Sequence, residues 1–308
     1  MSPSRPQSPP IIIPPRLRPG DLIGVISPAG PVDASGLKPG LDLLASRGFR
    51  VREAAHLYDR HDYLAGDDGA RLSDLHAMFL DREITAVFCA RGGYGSIRLL
   101  DRIDYDLIRQ HPKIIVGYSD ITALLMAVYK KTGLITFHGP MVQGLSTLSD
   151  DSLEGLLRIL SSEEPVSFDP MGGTSLISGK AEGPLLGGNL SLICHLVGTP
   201  FLPSLEGCIL FIEDRGEPLY RIDRMLTHLA LAGQLGGVAG LIGGNFMDCG
   251  HPSEIDRLLV AVASEREIPL ITGFPAGHGR NNLALPLGMP AQLDTRRMTL
   301  HTLKPSVV

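Results

Sequence analysis

The 308-residue sequence predicts an α/β protein of two domains, the first built around a parallel sheet. Short segments that are nearly all apolar alternate with segments of helical apolar spacing, which is typical of strands buried beneath helices. The length and the 44% hydrophobic content allow a sizeable core, and the length fits two domains better than one. Beyond residue 161 the pattern gives way to Glu, Pro and Gly, which indicates a domain boundary.

These features divide the chain into four parts. The proline-rich residues 1–20 are expected to form a flexible leader, because their apolar block is far shorter than a signal-peptide core. An N-terminal domain is predicted over residues 21–162, a linker over 163–184 and a C-terminal domain over 185–308.

The composition of the chain argues against several classes of function. A formal net charge of -5 argues against a surface for polyanions, so no nucleic-acid partner is expected. The four cysteines are far apart and three lie in apolar runs, which predicts neither a zinc site nor disulfides and favours a reducing compartment. No apolar run is long enough to cross a bilayer. We therefore expect a soluble, cytoplasmic protein with no membrane partner.

The N-terminal domain opens with a predicted strand over residues 21–27, which ends in a proline and glycine turn. Helical spacing follows over residues 37–47, and Asp67 can cap a second helix. A strand over residues 85–90 then leads into the glycine-rich turn at 91–96 and a further helical segment. This alternation predicts parallel strands.

The glycine-rich turn Arg91-Gly-Gly-Tyr-Gly-Ser96 is a candidate binding element. Glycines directly after a strand allow a ligand to approach the backbone and leave N–H groups pointing outward. The turn lacks a Walker A lysine and the GxGxxG spacing, so a nucleotide site is only weakly indicated. The alternative is that Gly92 and Gly93 simply let the strand and helix pack closely.

A second candidate element follows the strand at residues 114–116, where Ser119 stands between strand and helix. Gly117 lets the backbone turn sharply, and Asp120 falls in the first helical turn, where a carboxylate is favoured. This is the layout of a nucleophile elbow, although Ile121 replaces its second glycine. Alternatively, Ser119 or Asp120 only caps the helix. Both candidate turns leave the same sheet edge, so they are expected to be neighbours.

In the C-terminal domain, a buried strand over residues 207–212 ends in Glu213, and the next helix opens with Pro218. Glu213 is therefore fixed between two anchored elements. A loop carrying His278 follows one of the later strands. Further elements are predicted as strands at 238–242 and 269–272 and as a closing hairpin at 289–294 and 297–303.

A serine nucleophile needs a histidine base, and that base works best when a carboxylate orients it. Among the ten histidines, His138 and His278 both follow apolar strands and both adjoin glycine. His278 has glycine on each side in a long loop, which favours it as a functional ring. The residues alone leave both histidines open.

Six segments resemble the muramoyl-tetrapeptide L,D-carboxypeptidase family, the serine peptidases that also include the microcin C self-immunity proteins. The resemblance spans about residues 21–303, and it implies a class I glutamine-amidotransferase-like N-terminal domain with a mixed α/β C-terminal domain. The segments are RGGYGSIRLL, VGYSDITALL, ITFHGPM, GPLLGGNLSLI, ILFIEDRGEPLYRIDRML and ITGFPAGH.

By position, the resemblance implies that His138 is a loop residue near the site without the role of base. The catalytic side chains and then the oxyanion-binding backbone N–H groups are implied to be Ser119, Glu213 and His278, with Gly93 and Asp120. Because Glu213 and His278 come from the second domain, the site should lie across the interdomain cleft, and neither domain should be active alone.

The resemblance also implies a reaction. The enzyme would remove the terminal D-alanine from murein tetrapeptides during cytoplasmic cell-wall recycling, as a homodimer and without a metal or other cofactor. An exopeptidase must bind a free carboxylate, for which Arg91 and Arg280 are equal candidates. The alternatives are hydrolysis of an aminoacyl-nucleotide, as in the immunity branch, and a non-catalytic protein that binds a nucleotide or phosphate.

Overall fold

The first half of the chain forms a mostly parallel sheet. The computed structural model describes residues 9–168 and 173–308. The first strands are β1 (Leu22–Ile26), β2 (Arg50–Glu53), β3 (Ile84–Cys89), β4 (Ile114–Gly117) and β5 (Thr136–His138). They pair in parallel in the order β5-β4-β3-β1-β2, as the alternation of strands and helices predicts.

Helices cover this sheet, and their bounds are α1 (Ala34–Ser46), α2 (Asp68–Leu80), α3 (Tyr105–Gln110), α4 (Thr122–Thr132) and α5 (Asp150–Ser161). Asp67 caps α2 by accepting a hydrogen bond from the Ala70 N–H, as predicted. The helical segment expected after the glycine-rich turn is only a short 3₁₀ turn, Ser96–Leu99.

The second half of the chain, as far as its residues are described, forms a mixed sheet of eight strands. They are β6 (Ser167–Phe168), β7 (Thr174–Ile177), β8 (Lys180–Asn189), β9 (Ile209–Arg215), β10 (Gly240–Met247), β11 (Leu270–Thr272), β13 (Pro290–Asp294) and β14 (Thr299–Thr302), with β12 (Leu285–Leu287) lying elsewhere. Their order is β6-β14-β13-β8-β9-β10-β11-β7, with β8 to β11 parallel. The helices are α6 (Leu190–Leu196), α7 (Leu219–Leu231) and α8 (Pro252–Ser264).

Two boundaries differ from those expected. Residues 163–184 do not form a linker, since they contain β6, β7 and the start of β8; residues 169–172 lie outside the described part. Proline and glycine made this stretch look irregular, but Gly183 lets β8 pass close to the Gly207 carbonyl, where a Cβ would collide. In addition, β12 from the second half pairs antiparallel with β5 and becomes the edge of the first sheet.

The expected flexible leader is wrong for residues 9–20, which are docked onto the body; residues 1–8 lie outside the described part. Ile12 forms a parallel bridge with Leu134, and its N–H donates to the Gly133 carbonyl at 2.8 Å. Leu17 is buried, and the Arg16 N–H donates to the Val308 carbonyl at 2.7 Å. The apolar side chains of this proline-rich stretch make the docking contacts. Composition alone does not predict such contacts.

Two predictions from composition concern the cysteines and the apolar segments of the chain. All four cysteines are buried and free of disulfides. Among the helices of the described residues, none combines the length and apolar character required to cross a bilayer.

Candidate active site

Ser119 occupies a sharp turn between β4 and α4. Its φ is 61°, in the left-handed region, a strained conformation that is common at active sites and typical of a nucleophile elbow. Gly117 is required for this turn, because a Cβ there would lie 2.6 Å from the Ile121 side chain. Neither Ser119 nor Asp120 caps the helix through its side chain. The geometry therefore favours the elbow over the capping alternative.

The glycine-rich turn and the elbow are neighbours, as the shared sheet edge predicts. The buried Asp120 carboxylate accepts a hydrogen bond from the Ser96 N–H at 2.8 Å, and the Ser96 hydroxyl donates to the Asp120 carbonyl at 2.6 Å. Burial raises the pKa of Asp120, while the hydrogen bonds from Ser96 act in the opposite direction. These contacts lock the two turns in one arrangement.

Of the two adjacent glycines of the turn, Gly92 lies against the elbow and Gly93 lies against Gly30 in the turn after β1. A Cβ on Gly92 would lie 3.3 Å from the Ser119 hydroxyl oxygen, so glycine permits the close approach. Gly93 has a φ of 111°, and within the described residues its N–H donates no hydrogen bond. The glycines thus do more than allow a strand and a helix to pack, because Gly92 lets the turn approach Ser119 and the next residue, Gly93, keeps an unpaired backbone donor within the described residues.

Arg71, on α2, holds the other end of this turn. Its buried guanidinium donates to the Pro28 carbonyl at 2.6 Å and to the Gly95 carbonyl at 2.9 Å, and it pairs with Asp68. Burial lowers the pKa of Arg71, and Asp68 opposes that effect. Sequence reasoning missed this residue. Arg71 lies four residues before Leu75 and therefore on the apolar face of the predicted helix, which indicates from the sequence that its side chain is buried.

Glu213 and His278 form a buried pair. The Glu213 side chain is fully buried in β9, and its Oε2 accepts hydrogen bonds from His278 Nδ1 at 2.7 Å and from the His278 backbone N–H at 3.2 Å. The His278 side chain is 11% exposed. Gly277 allows this contact, since a Cβ there would lie 2.6 Å from Glu213 Oε2. The carboxylate therefore fixes the ring through Nδ1 and leaves Nε2 available.

The imidazole of His278 stands beside the elbow. The Tyr118 ring, next to Ser119 in the chain, packs edge-on against the His278 ring with centroids 5.0 Å apart. The hydrogen bonds found among residues 9–168 and 173–308 do not include one between Ser119 and His278. The structure thus places the His278 ring against the residue that precedes Ser119, with no direct hydrogen bond between the serine and the histidine.

His138 is the last residue of β5, not a loop residue as expected. Its ring is fully buried, edge-on to Phe211 at 5.0 Å and to Tyr118 at 5.9 Å. Burial, and secondarily the nearby His278, lower the pKa of His138 to about 3. Neither ring nitrogen has a hydrogen-bond partner within the described residues. A histidine that resists protonation so strongly is a poor general base.

A cavity of about 230 Å³ opens beside the elbow. Arg91 and Tyr118 line it from the first half of the chain, and Gly279 lines it from the loop that carries His278. Arg91 is half-buried and donates to the Pro31 carbonyl at 3.0 Å. Arg280 is exposed, donates to the Thr147 carbonyl at 3.3 Å and does not line this cavity. The geometry therefore distinguishes the two arginines, since Arg91 lines the cavity and Arg280 does not, whereas the sequence leaves them as equal candidates.

Comparisons with known proteins agree with this architecture. The LD-carboxypeptidase N-terminal domain model matches residues 23–139, and the C-terminal domain model matches residues 182–293. The probable murein peptide carboxypeptidase of Bacillus subtilis is 42% identical over 297 residues, which cover 93% of this chain and 92% of the relative.

Two solved structures are also similar. The muramoyltetrapeptide carboxypeptidase from Oxalobacter formigenes has a TM-score of 0.82 at 32% identity, covering 91% of this chain and 97% of the other. A structure of MccF with glutamyl sulfamoyl guanosine has a TM-score of 0.90 at 27% identity, covering 96% and 99%. Both domain models and these relatives together show that the chain is an enzyme of the LD-carboxypeptidase family.

Proposed function

We propose that this enzyme is a serine L,D-carboxypeptidase that removes the terminal D-alanine from murein tetrapeptides. The observation that carries the proposal is the buried hydrogen bond between Glu213 and His278, placed beside a serine with a positive φ. Support also comes from relatives named as murein peptide and muramoyltetrapeptide carboxypeptidases. The proposal keeps the family's reaction and assigns it to specific atoms.

The chemistry has two halves. Ser119 Oγ attacks the carbonyl carbon of the amide between the L-centre and D-alanine, while His278 Nε2 takes the hydroxyl proton. The same proton then passes to the departing D-alanine nitrogen as the C–N bond breaks, leaving an acyl ester on Ser119. A water that gives its proton to His278 next attacks the ester, and His278 returns that proton to Ser119 Oγ as the ester C–O bond breaks and the shortened peptide leaves. Glu213 stabilises the imidazolium in both halves. The Ser119 to His278 hydrogen bond forms in the substrate complex.

The backbone N–H groups of Gly93 and Asp120 would bind the oxyanion of each tetrahedral intermediate. Gly93 follows Gly92, which lies against Ser119, and its N–H donates no hydrogen bond within the described residues; Asp120 lies at the start of a helical turn, where backbone donors have no intrahelical partner. Removing one such donor in a well-studied protease costs roughly 3–4 kcal/mol of transition-state stabilisation. The Ser96 to Asp120 hydrogen bonds keep these donors on adjacent turns.

Arg91 would bind the carboxylate of the D-alanine. It lines the 230 Å³ cavity next to the elbow, a space suited to a small residue, and its Nη2 and Nε are not engaged by the Pro31 contact. Replacing Arg91 by lysine should raise KM because the planar fork is lost. The matched change Arg280→Lys should leave KM nearly unaltered, since Arg280 does not line the cavity.

We further infer that the reaction occurs in the cytoplasm, in the recycling of cell-wall peptides, and that the enzyme is a homodimer. Free cysteines fit a reducing compartment, while the recycling role and the dimer follow only from family likeness. Hydrolysis of an aminoacyl-nucleotide is the second candidate, because MccF superposes on this chain with a TM-score of 0.90.

The deciding experiment feeds the purified enzyme a murein tetrapeptide and an aminoacyl-nucleotide in parallel and follows both by mass. Loss of one alanine from the tetrapeptide is expected, with a much lower rate on the nucleotide. A Ser119→Ala enzyme and labelling by a serine-reactive fluorophosphonate serve as controls for the nucleophile. Preferential hydrolysis of the nucleotide would replace the main proposal by the second candidate. Tight nucleotide binding without labelling would indicate a non-catalytic binder.

A further inference from the structure

Two tyrosines form an exposed aromatic pair beside the glycine-rich turn. Tyr63 is 63% exposed and Tyr94 is 45% exposed, yet their rings contact each other with centroids 5.6 Å apart and a tilt of 58°. Among the described residues, the other exposed tyrosines, Tyr58 and Tyr220, take part in no ring-to-ring contact. An aromatic pair that solvent can reach marks a surface built for contact with a partner or ligand.

The pair is fixed to the candidate active site. Tyr94 directly follows Gly93, so their Cα atoms are about 3.8 Å apart. Tyr63 lies at the tip of a tight turn in which His61 and Leu64 exchange backbone hydrogen bonds, each of 2.9 Å. Leu64 is buried against Gly95, where a Cβ would approach its side chain to 2.6 Å. Both rings are thus held by the same turn that borders Ser119, which preorganises them for a ligand.

We propose that Tyr63 and Tyr94 form a stacking platform for the sugar ring of a muramoyl-tetrapeptide, outside the cavity that takes the D-alanine. This inference rests on the proposed function. Three residues of an extended stem peptide span roughly 10 Å and separate the scissile amide from the sugar, so the sugar should lie outside the D-alanine cavity, which neither Tyr63 nor Tyr94 lines.

The ring geometry favours a saccharide over a nucleobase. A base gripped between two rings needs them parallel and far enough apart to admit it, whereas these rings are tilted and already touch. A pyranose offers apolar C–H groups to a ring face and hydroxyls to its surroundings, and tyrosine combines an apolar body with a polar end. The ion pair between Arg98 and Asp68, which Tyr94 also adjoins, supplies charged partners for hydroxyls.

The test compares kcat/KM for the bare tetrapeptide with kcat/KM for the same peptide carrying its muramoyl sugar. We expect the unaltered enzyme to prefer the sugar-bearing substrate, and this preference ratio to fall roughly three- to tenfold in Tyr63→Ala and in Tyr94→Ala. The control is Tyr220→Ala on α7, a tyrosine that is 59% exposed with Arg224 over its ring, and its ratio should stay at the unaltered value.

Each other outcome overturns the platform in a distinguishable way. An unchanged ratio in Tyr63→Ala, with the tetrapeptide still cleaved, removes the platform and leaves the proposed function intact. Failure of the unaltered enzyme to cleave either the bare or the sugar-bearing tetrapeptide removes the proposed function and the platform with it. Weaker binding of an aminoacyl sulfamoyl nucleoside by Tyr63→Ala, with an unchanged sugar preference, assigns the rings to a base. A change of oligomeric state in Tyr63→Ala assigns them to an interface between copies of this chain.

Discussion

Replacing Glu213 by glutamine changes one buried atom of the proposed site and leaves its size unaltered. The carboxylate holds His278 through two hydrogen bonds, at 2.7 Å to Nδ1 and 3.2 Å to the backbone N–H. If the new amide nitrogen faces Nδ1, the ring must carry its proton on Nε2, where it can no longer accept one from Ser119. If the amide oxygen faces Nδ1 instead, the imidazolium loses its negative partner.

The comparable change in a serine protease triad lowers kcat by about 10⁴, which corresponds to roughly 5 kcal/mol of barrier at 1.36 kcal/mol per tenfold. We expect a drop of that order in Glu213→Gln. Because Glu213 is fully buried behind the imidazole, KM should change little. The assay measures release of D-alanine from the tetrapeptide, together with the rate of fluorophosphonate labelling. A kcat within tenfold of the unaltered enzyme would refute the orienting role of Glu213.

Asp214→Asn is the matched control. Asp214 is the next residue of the same strand and is also buried, but it accepts hydrogen bonds from Asn189 Nδ2 at 3.0 Å and from Ser191 Oγ at 2.8 Å, and none from His278. Each hydrogen bond to a charged group is worth about 1.5–3 kcal/mol, so this variant should melt at a lower temperature. Its kcat should stay within tenfold while it remains folded. Equal losses of kcat in both variants would show that a general disturbance of β9 is responsible.

Four further outcomes are expected. Ser119→Ala should lower kcat by about 10⁴ or more without altering the circular dichroism spectrum, and near-normal turnover would exclude Ser119 as nucleophile. Arg71→Lys should lower kcat roughly tenfold with little change in KM, because lysine lacks the planar fork that holds the Pro28 and Gly95 carbonyls through Nη1 and Asp68 through Nη2; Arg109→Lys, an exposed change on α3, is its control, and a pure loss of melting temperature would confine Arg71 to stability. His138 has a pKa of about 3 in the folded protein, against 6.5 in the unfolded chain. Between these values only the unfolded chain binds a proton on His138, so lowering the pH from 7 to 5 should reduce the free energy of unfolding by about 2 kcal/mol. Urea unfolding at both pH values should show this loss, and His138→Gln should reduce it; an equal loss in that variant would assign the acid sensitivity to other groups. EDTA should leave activity unaltered, and strong inhibition by it would indicate a metal-dependent peptidase.

The strands that sequence analysis predicted are those whose burial shows in their own residues. β3 and β4 are apolar runs covered on both faces, and their composition is sufficient to identify them. β2 is short, half-exposed and rich in charge, as edge strands often are, so its pattern resembles a loop. β12 is three residues long and contains Pro286, and it forms a strand by pairing with β5 at the edge of the first sheet. Such strands depend on their partners, which a local pattern does not contain.

The candidate site shows the same limit. Ser119 is a candidate that the sequence indicates directly, because its strand, turn and helix are contiguous. Glu213 and His278 lie 65 residues apart, so in the sequence only family resemblance pairs them. Arg71 reaches carbonyls 43 and 24 residues away, so no spacing rule indicates that it supports the glycine-rich turn.

The position of His278 depends on both halves of the chain. Its loop leaves β11 in the second sheet and enters β12 in the first. Within the loop, the buried Asn282 accepts the Gly277 N–H through Oδ1 at 2.9 Å, and its own N–H donates to the Ser152 hydroxyl on α5 at 2.9 Å. Glu213 holds the imidazole from the second sheet, while α5 and β12 anchor the loop to the first. Docking of the two halves therefore sets the distance between the His278 imidazole and Ser119, and the proposed site draws its residues from both halves.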